Sequence, residues 1–460
     1  MSPITPADAT LPPGPPVHPL TGNLAEFGAD RLGFLLHVAR TYGDFVPLRL
    51  MRGTAILLNR PEYIEEVLVT QKRHFIKARG TRSLSSLLGN GLLVSEGSFW
   101  RRQRRLVQPA FHRDRISTYG QMMVASCERM LSDWRQGAAL DLHHEMMGVT
   151  LAIVAKALFG ADVSGAAGDV GRSLEVTLAH FNWRASTGFL VPLWLPLRAN
   201  REFDRAKANL DKIVYDLIAR RRSSSEDPGD LLSMLLAARD EAGTGIPAVS
   251  AAEQSGMTDR QVRDEVMTLL LAGHETTANA LTWTFLLLSQ NPDVDARLAD
   301  ELATVLGGRN PALTDLPRLP YTENVVKEAL RLYPPAWIMG YEAIDDVTIG
   351  GYPVRKGTTM FMSQWVTHRD ARWFPEPDAF RPERWAEPGM KQLPTYAYYP
   401  FGGGERLCIG KSFALMEASL LLATIASRYR LVLAPDQQIA MEPSVTLRPK
   451  HGLKMEVLAR

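Results

Sequence analysis

The run from Thr258 to Gln290 constrains the fold more than any other part of the chain. Thr258 followed by Gln261 is a capping-box signature, in which each side chain satisfies an amide at the helix start. Asn291-Pro292 stops the run and begins another helix. At ~1.5 Å per residue the run makes a rod of roughly 48 Å, long enough to cross a whole domain. Its middle is apolar nearly all round, which predicts a buried helix.

The rest of the chain is read around this rod. Asp44–Leu50 and Thr54–Asn59 alternate apolar residues on either side of Arg52-Gly53 and predict a hairpin. Pro61 opens a helix over 62–70. From about residue 97 to 335 the patterning is mainly helical, with polar, turn-rich loops at 223–229 and 243–256. Short strands are predicted at 346–349, 352–354 and 358–362, followed by a Pro-rich aromatic meander over 368–401. A last helix spans about 411–429, and strands close the chain. The fold class is mainly α with a smaller β part.

Composition narrows the functions. With 52 basic and 50 acidic residues the net charge is +2, which gives no reason to expect nucleic acid or an acidic substrate. Residues 1–20 hold seven prolines and no apolar run, so this Pro-rich opening segment does not read as a signal peptide. No stretch approaches the roughly 20 apolar residues of a membrane span. Of the two cysteines, Cys127 lies among Met122, Met123 and Met130 and reads as a buried thiol. That leaves Cys408 for chemistry.

Two short segments carry it. Within the long helix stands Ala272-Gly273-His274-Glu275-Thr276-Thr277, an acid and hydroxyls in an apolar setting. The Thr276 hydroxyl can bond back to the Ala272 carbonyl, and Gly273 would let a ligand lie against the backbone. A zinc motif His-Glu-x-x-His fails here, because the second histidine position is Ala278. Near the C-terminus, Phe401-Gly402-Gly403-Gly404-Glu405-Arg406-Leu407-Cys408-Ile409-Gly410 places a cysteine after three glycines and an arginine. Glycines permit a tight turn close to a flat ligand. An arginine holds anions, and nearby amides with a following helix start favour a thiolate. Such a loop suits the axial ligand of a haem iron.

This segment resembles the haem-binding loop of the cytochrome P-450 family, Phe-x-x-Gly-x-x-x-Cys-x-Gly, at Phe401, Gly404, Cys408 and Gly410. The helix segment matches the family's Ala/Gly-Gly-x-Asp/Glu-Thr-Thr/Ser. Glu328 and Arg331 match its Glu-x-x-Arg, and Trp100 and Arg104 match its Trp-x-x-x-Arg. Phe380-Arg381-Pro382-Glu383-Arg384-Trp385 matches a later motif, with Trp385 where Phe is usual. The resemblance extends over nearly the full length. It implies the family's fold, a long central helix over a haem with a cysteine-ligand loop, and one haem-thiolate monooxygenase domain over residues 1–460.

The resemblance implies roles residue by residue. Cys408 would ligate the iron of haem b. Thr276 would hydrogen-bond dioxygen at the haem, with Glu275 its partner in proton delivery. Trp100, Arg104 and Arg406 would bind the haem propionates, with Lys77 a further candidate. Phe401, Gly402, Ala272 and Gly273 would line the cofactor. Glu328, Arg331 and Arg384 would form a structural triad. Relatives often carry a propionate-binding arginine where this chain has Gly340-Tyr341-Glu342. Pocket walls would include Leu84, Leu88, Phe181, Leu271, Ala272, Ala336, Trp337, Ile338, Met339 and Val445, residues that would also serve as core. Arg82 and Arg184 could meet a substrate carboxylate.

The function so implied is a dioxygen-activating monooxygenase that hydroxylates or epoxidises a hydrophobic small molecule such as a fatty acid, terpenoid or steroid. Electrons would come from a separate ferredoxin or flavodoxin and its reductase, docking near Arg101, Arg102 and Arg105. The protein is expected to be cytoplasmic and monomeric. A non-catalytic haem-binding or sensor protein and a peroxide-driven enzyme are the alternatives. Retention of Glu275 and Thr276 argues against both.

Overall fold

Alternating apolar residues form the hairpin at the start of the chain: Phe45–Leu50 pairs antiparallel with Gly53–Leu58. The computed structural model describes residues 11–50, 53–112, 118–160, 164–187, 191–223, 229–238 and 256–460. These fall into two units. One holds the described residues up to Arg82 with Lys327–Cys408, the other Ser83–Val326 with Ile409–Arg460.

The first unit is built on a five-stranded sheet ordered Phe45–Leu50, Gly53–Leu58, Thr359–Met362, Met339–Ala343, Phe75–Lys77. The second and third of these strands run parallel and the other pairs antiparallel. One sheet face is buried by Phe45, Ile56, Leu58, Tyr341, Met360 and Met362. The predicted short strands Val347–Ile349 and Tyr352–Val354 pair as a second hairpin, turning through Gly350 and Gly351 at positive φ. The strand Met339–Ala343 is not expected from the sequence, because glycine weakens a strand pattern. Packing explains the glycine: a Cβ on Gly340 would fall 2.9 Å from the Ala78 Cβ. The helix after Pro61 covers the predicted residues but changes type, an α-helix Pro61–Glu65 passing into a π-helix Glu66–Thr70.

The second unit is helical around Asp259–Gln290. Its capping box is complete, with the Thr258 amide donating to Gln261 Oε1 (2.9 Å) and the Gln261 amide to Thr258 Oγ (3.3 Å). Leu142–Phe159 packs along it, and the Thr150 hydroxyl donates to the His274 carbonyl at 3.0 Å. Lys411–Ala426, the predicted last helix, is wholly buried from Met416 onward and gives way to a strand at Tyr429. Small antiparallel sheets join Ala139–Asp141, Lys454–Ala459 and Tyr429–Leu433, and Met441–Pro443 with Leu447–Pro449. The two predicted loops fall largely outside the described residues, as do residues 1–10. No helix among the described residues is long and apolar enough to cross a membrane.

Candidate active site

The cysteine loop is shaped by close backbone approaches. The Cys408 amide donates to the Phe401 carbonyl at 3.0 Å, and the Gly402 amide to the Tyr399 carbonyl at 2.9 Å. Gly402 and Gly404 have φ of 73° and 61°. A Cβ on Gly404 would lie 2.2 Å from the Leu68 carbonyl oxygen, and one on Gly403 2.2 Å from the Tyr396 ring. Only glycine fits at these positions. The Tyr396 hydroxyl also accepts from the Gly404 amide at 3.1 Å. Cys408 is presented exposed, whereas Cys127 is buried. Burial pushes the Cys127 thiol up, which makes it a poor nucleophile or ligand. Phe401, Gly402 and Arg406 are half-buried, and Glu405 pairs with Lys72 at 2.6 Å.

The second half of the chemistry lies on the long helix. From Val262 to Leu288 every residue is buried except Ala272, Gly273 and Thr276. These three fall on one face of a single turn. The Thr276 hydroxyl donates to the Ala272 carbonyl at 2.7 Å, as expected. Gly273 has a further reason to be glycine, since a Cβ there would meet Val154 Cγ2 at 2.9 Å. His274 is buried with its Nδ1 on the Leu270 carbonyl at 3.0 Å, and burial lowers it to about 4. It is a neutral structural histidine at ordinary pH.

Glu275 is buried beside neutral polar partners. The Thr446 hydroxyl donates to its Oε1 at 2.7 Å, and Asn279 Nδ2 donates to that hydroxyl at 3.1 Å. The His143 Nε2 bonds the Asn279 Oδ1 at 3.0 Å. Burial raises the Glu275 carboxyl above its ordinary range, and the Thr446 hydrogen bond opposes that rise. Burial likewise lowers the half-buried His143. The turn bearing Thr446 is held in place by the Trp283 indole, which donates to the Leu447 carbonyl at 3.0 Å. The sequence pointed to Glu275 through its motif but not to Thr446, Asn279 or His143, which lie far from it along the chain.

Glu328 has the opposite surroundings. It accepts from Arg331 Nε (3.0 Å) and Nη2 (2.8 Å), Arg384 Nε (2.9 Å), the Arg381 amide (3.1 Å) and the Trp385 indole (3.0 Å). Arg331 also donates to the carbonyls of His368, Pro377 and Ala379. Trp385, the departure from the usual Phe, thus adds a donor to the carboxylate.

Several expectations need correction or detail. Arg102 is buried, with an Nη donating to the Gly256 carbonyl at 3.0 Å, so it is not part of a docking surface; Arg101 is exposed and Arg105 half-buried. Arg82 is ion-paired with Glu342 and is not available to a substrate carboxylate. Lys77 donates to the Tyr341 hydroxyl at 2.8 Å, from the strand position opposite it. Trp100 is buried and Arg104 half-buried. Leu84, Leu88 and Leu271 are buried in one cluster, against which half-buried Phe181 and Val445 pack. In the other unit Trp337 is buried, while Ala336, Ile338 and Met339 are half-buried.

These features fit a haem. Cys408 is an exposed thiol on a loop that only glycines can close, which suits an axial ligand to haem iron. Among the described residues no cluster of three or more His, Cys, Asp or Glu side chains is arranged to hold a metal ion. The comparisons agree. The profile described as cytochrome P450 matches residues 12–457. Cyclooctatin synthase of Streptomyces melanosporofaciens is 39% identical, covering 93% of this chain and 92% of that protein. Cyclooctat-9-en-7-ol 5-monooxygenase of the same organism is 37% identical, covering 93% of each. Pentalenene oxygenase of Streptomyces avermitilis is 33% identical, covering 96% of each. The chain belongs to the cytochrome P450 family, whose members are oxidoreductases with haem b as cofactor.

Proposed function

We propose that this chain is a single haem-thiolate monooxygenase domain that oxidises a terpenoid, with electrons from a separate ferredoxin or flavodoxin and its reductase. The observation that carries this reading is the one open turn of the long helix, at Ala272, Gly273 and Thr276. An enzyme that consumes dioxygen needs a small, polar-edged opening at that place, and a protein that merely holds haem does not.

Cys408 would hold the iron, and Arg406, Trp100, Arg104 and Lys77 would donate to the haem propionates. Bound haem with a thiolate ligand supplies the oxygen chemistry, because the thiolate's electron density favours O–O cleavage. The protein's own groups handle protons, water and substrate. Thr276 holds its proton on the Ala272 carbonyl and can turn it toward a group in the open turn. Glu275 has its carboxyl raised above the usual range by burial, which suits it to hold and pass on a proton. Thr446 keeps that carboxyl oriented. Half-buried Phe181 and Val445 would offer the substrate an apolar surface, backed by the buried Leu84, Leu88 and Leu271.

The substrate class is supported by the relatives, which are named for cyclooctatin, cyclooctat-9-en-7-ol and pentalenene. The pairing of Arg82 with Glu342 occupies one of the two arginines that could have met a substrate carboxylate. Arg101, exposed on the helix Gly97–Val107, and half-buried Arg105 are the residues of the basic run that could meet an acidic redox carrier. A cytoplasmic site of action fits this set of partners.

The test is spectroscopic. The reduced protein with carbon monoxide should show the strongly red-shifted Soret band of thiolate ligation, lost in Cys408→Ala and kept in Cys127→Ala. Pentalenene and cyclooctat-9-en-7-ol should then shift the haem absorbance as they displace water. A histidine-like carbonyl spectrum in the folded protein would overturn the assignment.

A further inference from the structure

The first turns of the long helix carry two neighbouring buried acids that the mechanism above does not use. Asp264 and Glu265 face the backbone of residues 89–92. Asp264 Oδ2 accepts from the Asn90 amide at 2.8 Å, and Glu265 Oε2 from the Leu92 amide at 3.0 Å. The approach is too close for side chains. Gly89 has φ of 61°, and a Cβ there would fall 2.1 Å from Asp264 Oδ1. A Cβ on Gly91 would fall 2.1 Å from Thr268 Oγ1 and 2.6 Å from the Asp264 carbonyl oxygen.

The anchor extends to a third segment. Asp264 Oδ1 accepts from Arg263 Nη1 at 2.9 Å, and Arg263 Nε donates to Asp211 Oδ1 at 2.7 Å. Asp211, on the helix Arg198–Ser223, also pairs with Lys207 at 2.7 Å. Beside the anchored amides, Leu84, Leu87, Leu88 and Leu92 pack in the cluster that contains Leu270 and Leu271. Leu271 immediately precedes the open turn. The hydrogen bond from the Asn90 amide to the Asp264 carboxylate is of the stronger, charge-assisted kind. Two adjacent acids are nonetheless a costly way to hold a loop, and burial pushes Glu265 up to about 8.

We propose that Asp264 and Glu265 are positioning residues, clamping the 84–94 segment to the long helix and so setting the shape of the substrate side of the pocket. The proposal rests on the reading above that this segment walls the pocket. It couples the segment to the helix Arg198–Ser223 through Arg263 and Asp211.

Hydrogen exchange of the haem-loaded protein tests the clamp, and titration with 4-phenylimidazole, whose ring nitrogen ligates haem iron, tests the pocket. In Glu265→Leu the Asn90 and Leu92 amides should exchange on the order of tenfold faster, with the rest of the chain unchanged. The 4-phenylimidazole affinity should fall by a similar factor. Glu265→Gln, which keeps an acceptor for the Leu92 amide, should stay within about twofold of wild type. Gly91→Ala, which leaves both acids in place but pushes the segment off the helix, should reproduce Glu265→Leu and serves if that variant does not fold. Unchanged exchange at the two amides would overturn the clamp. Exchange that rises everywhere, or local exchange that rises without loss of affinity, would overturn the positioning role. The exchange result stands whether or not the carbon monoxide spectrum supports a thiolate ligand, so failure of the clamp and failure of the functional assignment are distinguishable.

Discussion

Glu328 and Glu275 are both buried glutamates, one in each unit, and their partners differ in kind. Glu328 accepts five hydrogen bonds, from two guanidinium groups, an indole and a backbone amide. A carboxylate has about four lone-pair sites, so nothing is left over for a passing proton. Through Arg331 and Arg384 the same group ties down the carbonyls of Pro375, Pro377 and Ala379. Glu275 is held by one neutral hydroxyl, and no cation is hydrogen-bonded to it among the described residues. Its proton affinity is raised by burial. The difference separates two uses of a buried acid. A carboxylate compensated by cations organises the chain around it, and one left with neutral partners can exchange a proton.

The largest expected effect breaks the first of these. Glu328→Gln leaves two buried guanidinium groups without their counter-charge, which costs about 3–5 kcal/mol. The denaturation midpoint should fall sharply, and purified protein should lose haem. A stable, haem-replete Glu328→Gln would show that the network is not what holds that unit together. Glu275→Gln should do the reverse. Turnover should slow on the order of 10²-fold while the denaturation midpoint and ligand affinity stay close to wild type. Equal losses of stability in the two variants would erase the distinction.

The first of these acids also shows what the sequence made legible. The Glu-x-x-Arg spacing and the later Arg384 could be matched to a family pattern, but the role of Trp385 could not. A tryptophan in place of phenylalanine reads as a volume change until its indole is seen on Glu328. Similar limits apply elsewhere. The long helix and its caps followed from spacing, because those signals are local, and its Ala272–Thr277 segment stood out by residue type and motif. Arg102 read as a surface residue because it stands in a basic run, yet its partner is Gly256, far along the chain. The Asp264–Glu265 clamp pairs side chains with amides more than 170 residues away. The strand Met339–Ala343 was missed because Gly340, needed to clear Ala78, interrupts the apolar pattern.

Trp385→Phe sharpens the comparison with a smaller change. It restores the residue usual in the family and removes one hydrogen bond to a charged group, for a loss of about 1.5–3 kcal/mol in chemical denaturation and little change in turnover. A loss below that range would mean that the guanidinium groups alone satisfy Glu328.

The gentlest test uses pH. Burial pushes both Glu265 and Glu417 up to about 8 from an ordinary 4.5. The folded chain holds these protons more tightly than the unfolded chain. The stability these two acids contribute is therefore fully present below about pH 4.5 and is lost as pH rises toward about 8, by up to ~1.4 kcal/mol per pH unit for each acid. Glu417→Gln should flatten the fall in melting temperature across that window. An unchanged slope would place the titrating group elsewhere.

The central claim is that the open turn of the long helix handles protons for oxygen activation. The most direct test is the ratio of oxygenated product to reducing equivalents consumed in Thr276→Ala, measured with a substrate that wild type oxidises and with a carbon monoxide spectrum showing intact thiolate ligation. The account predicts continued consumption with less product and more hydrogen peroxide. A product ratio equal to that of wild type would contradict it.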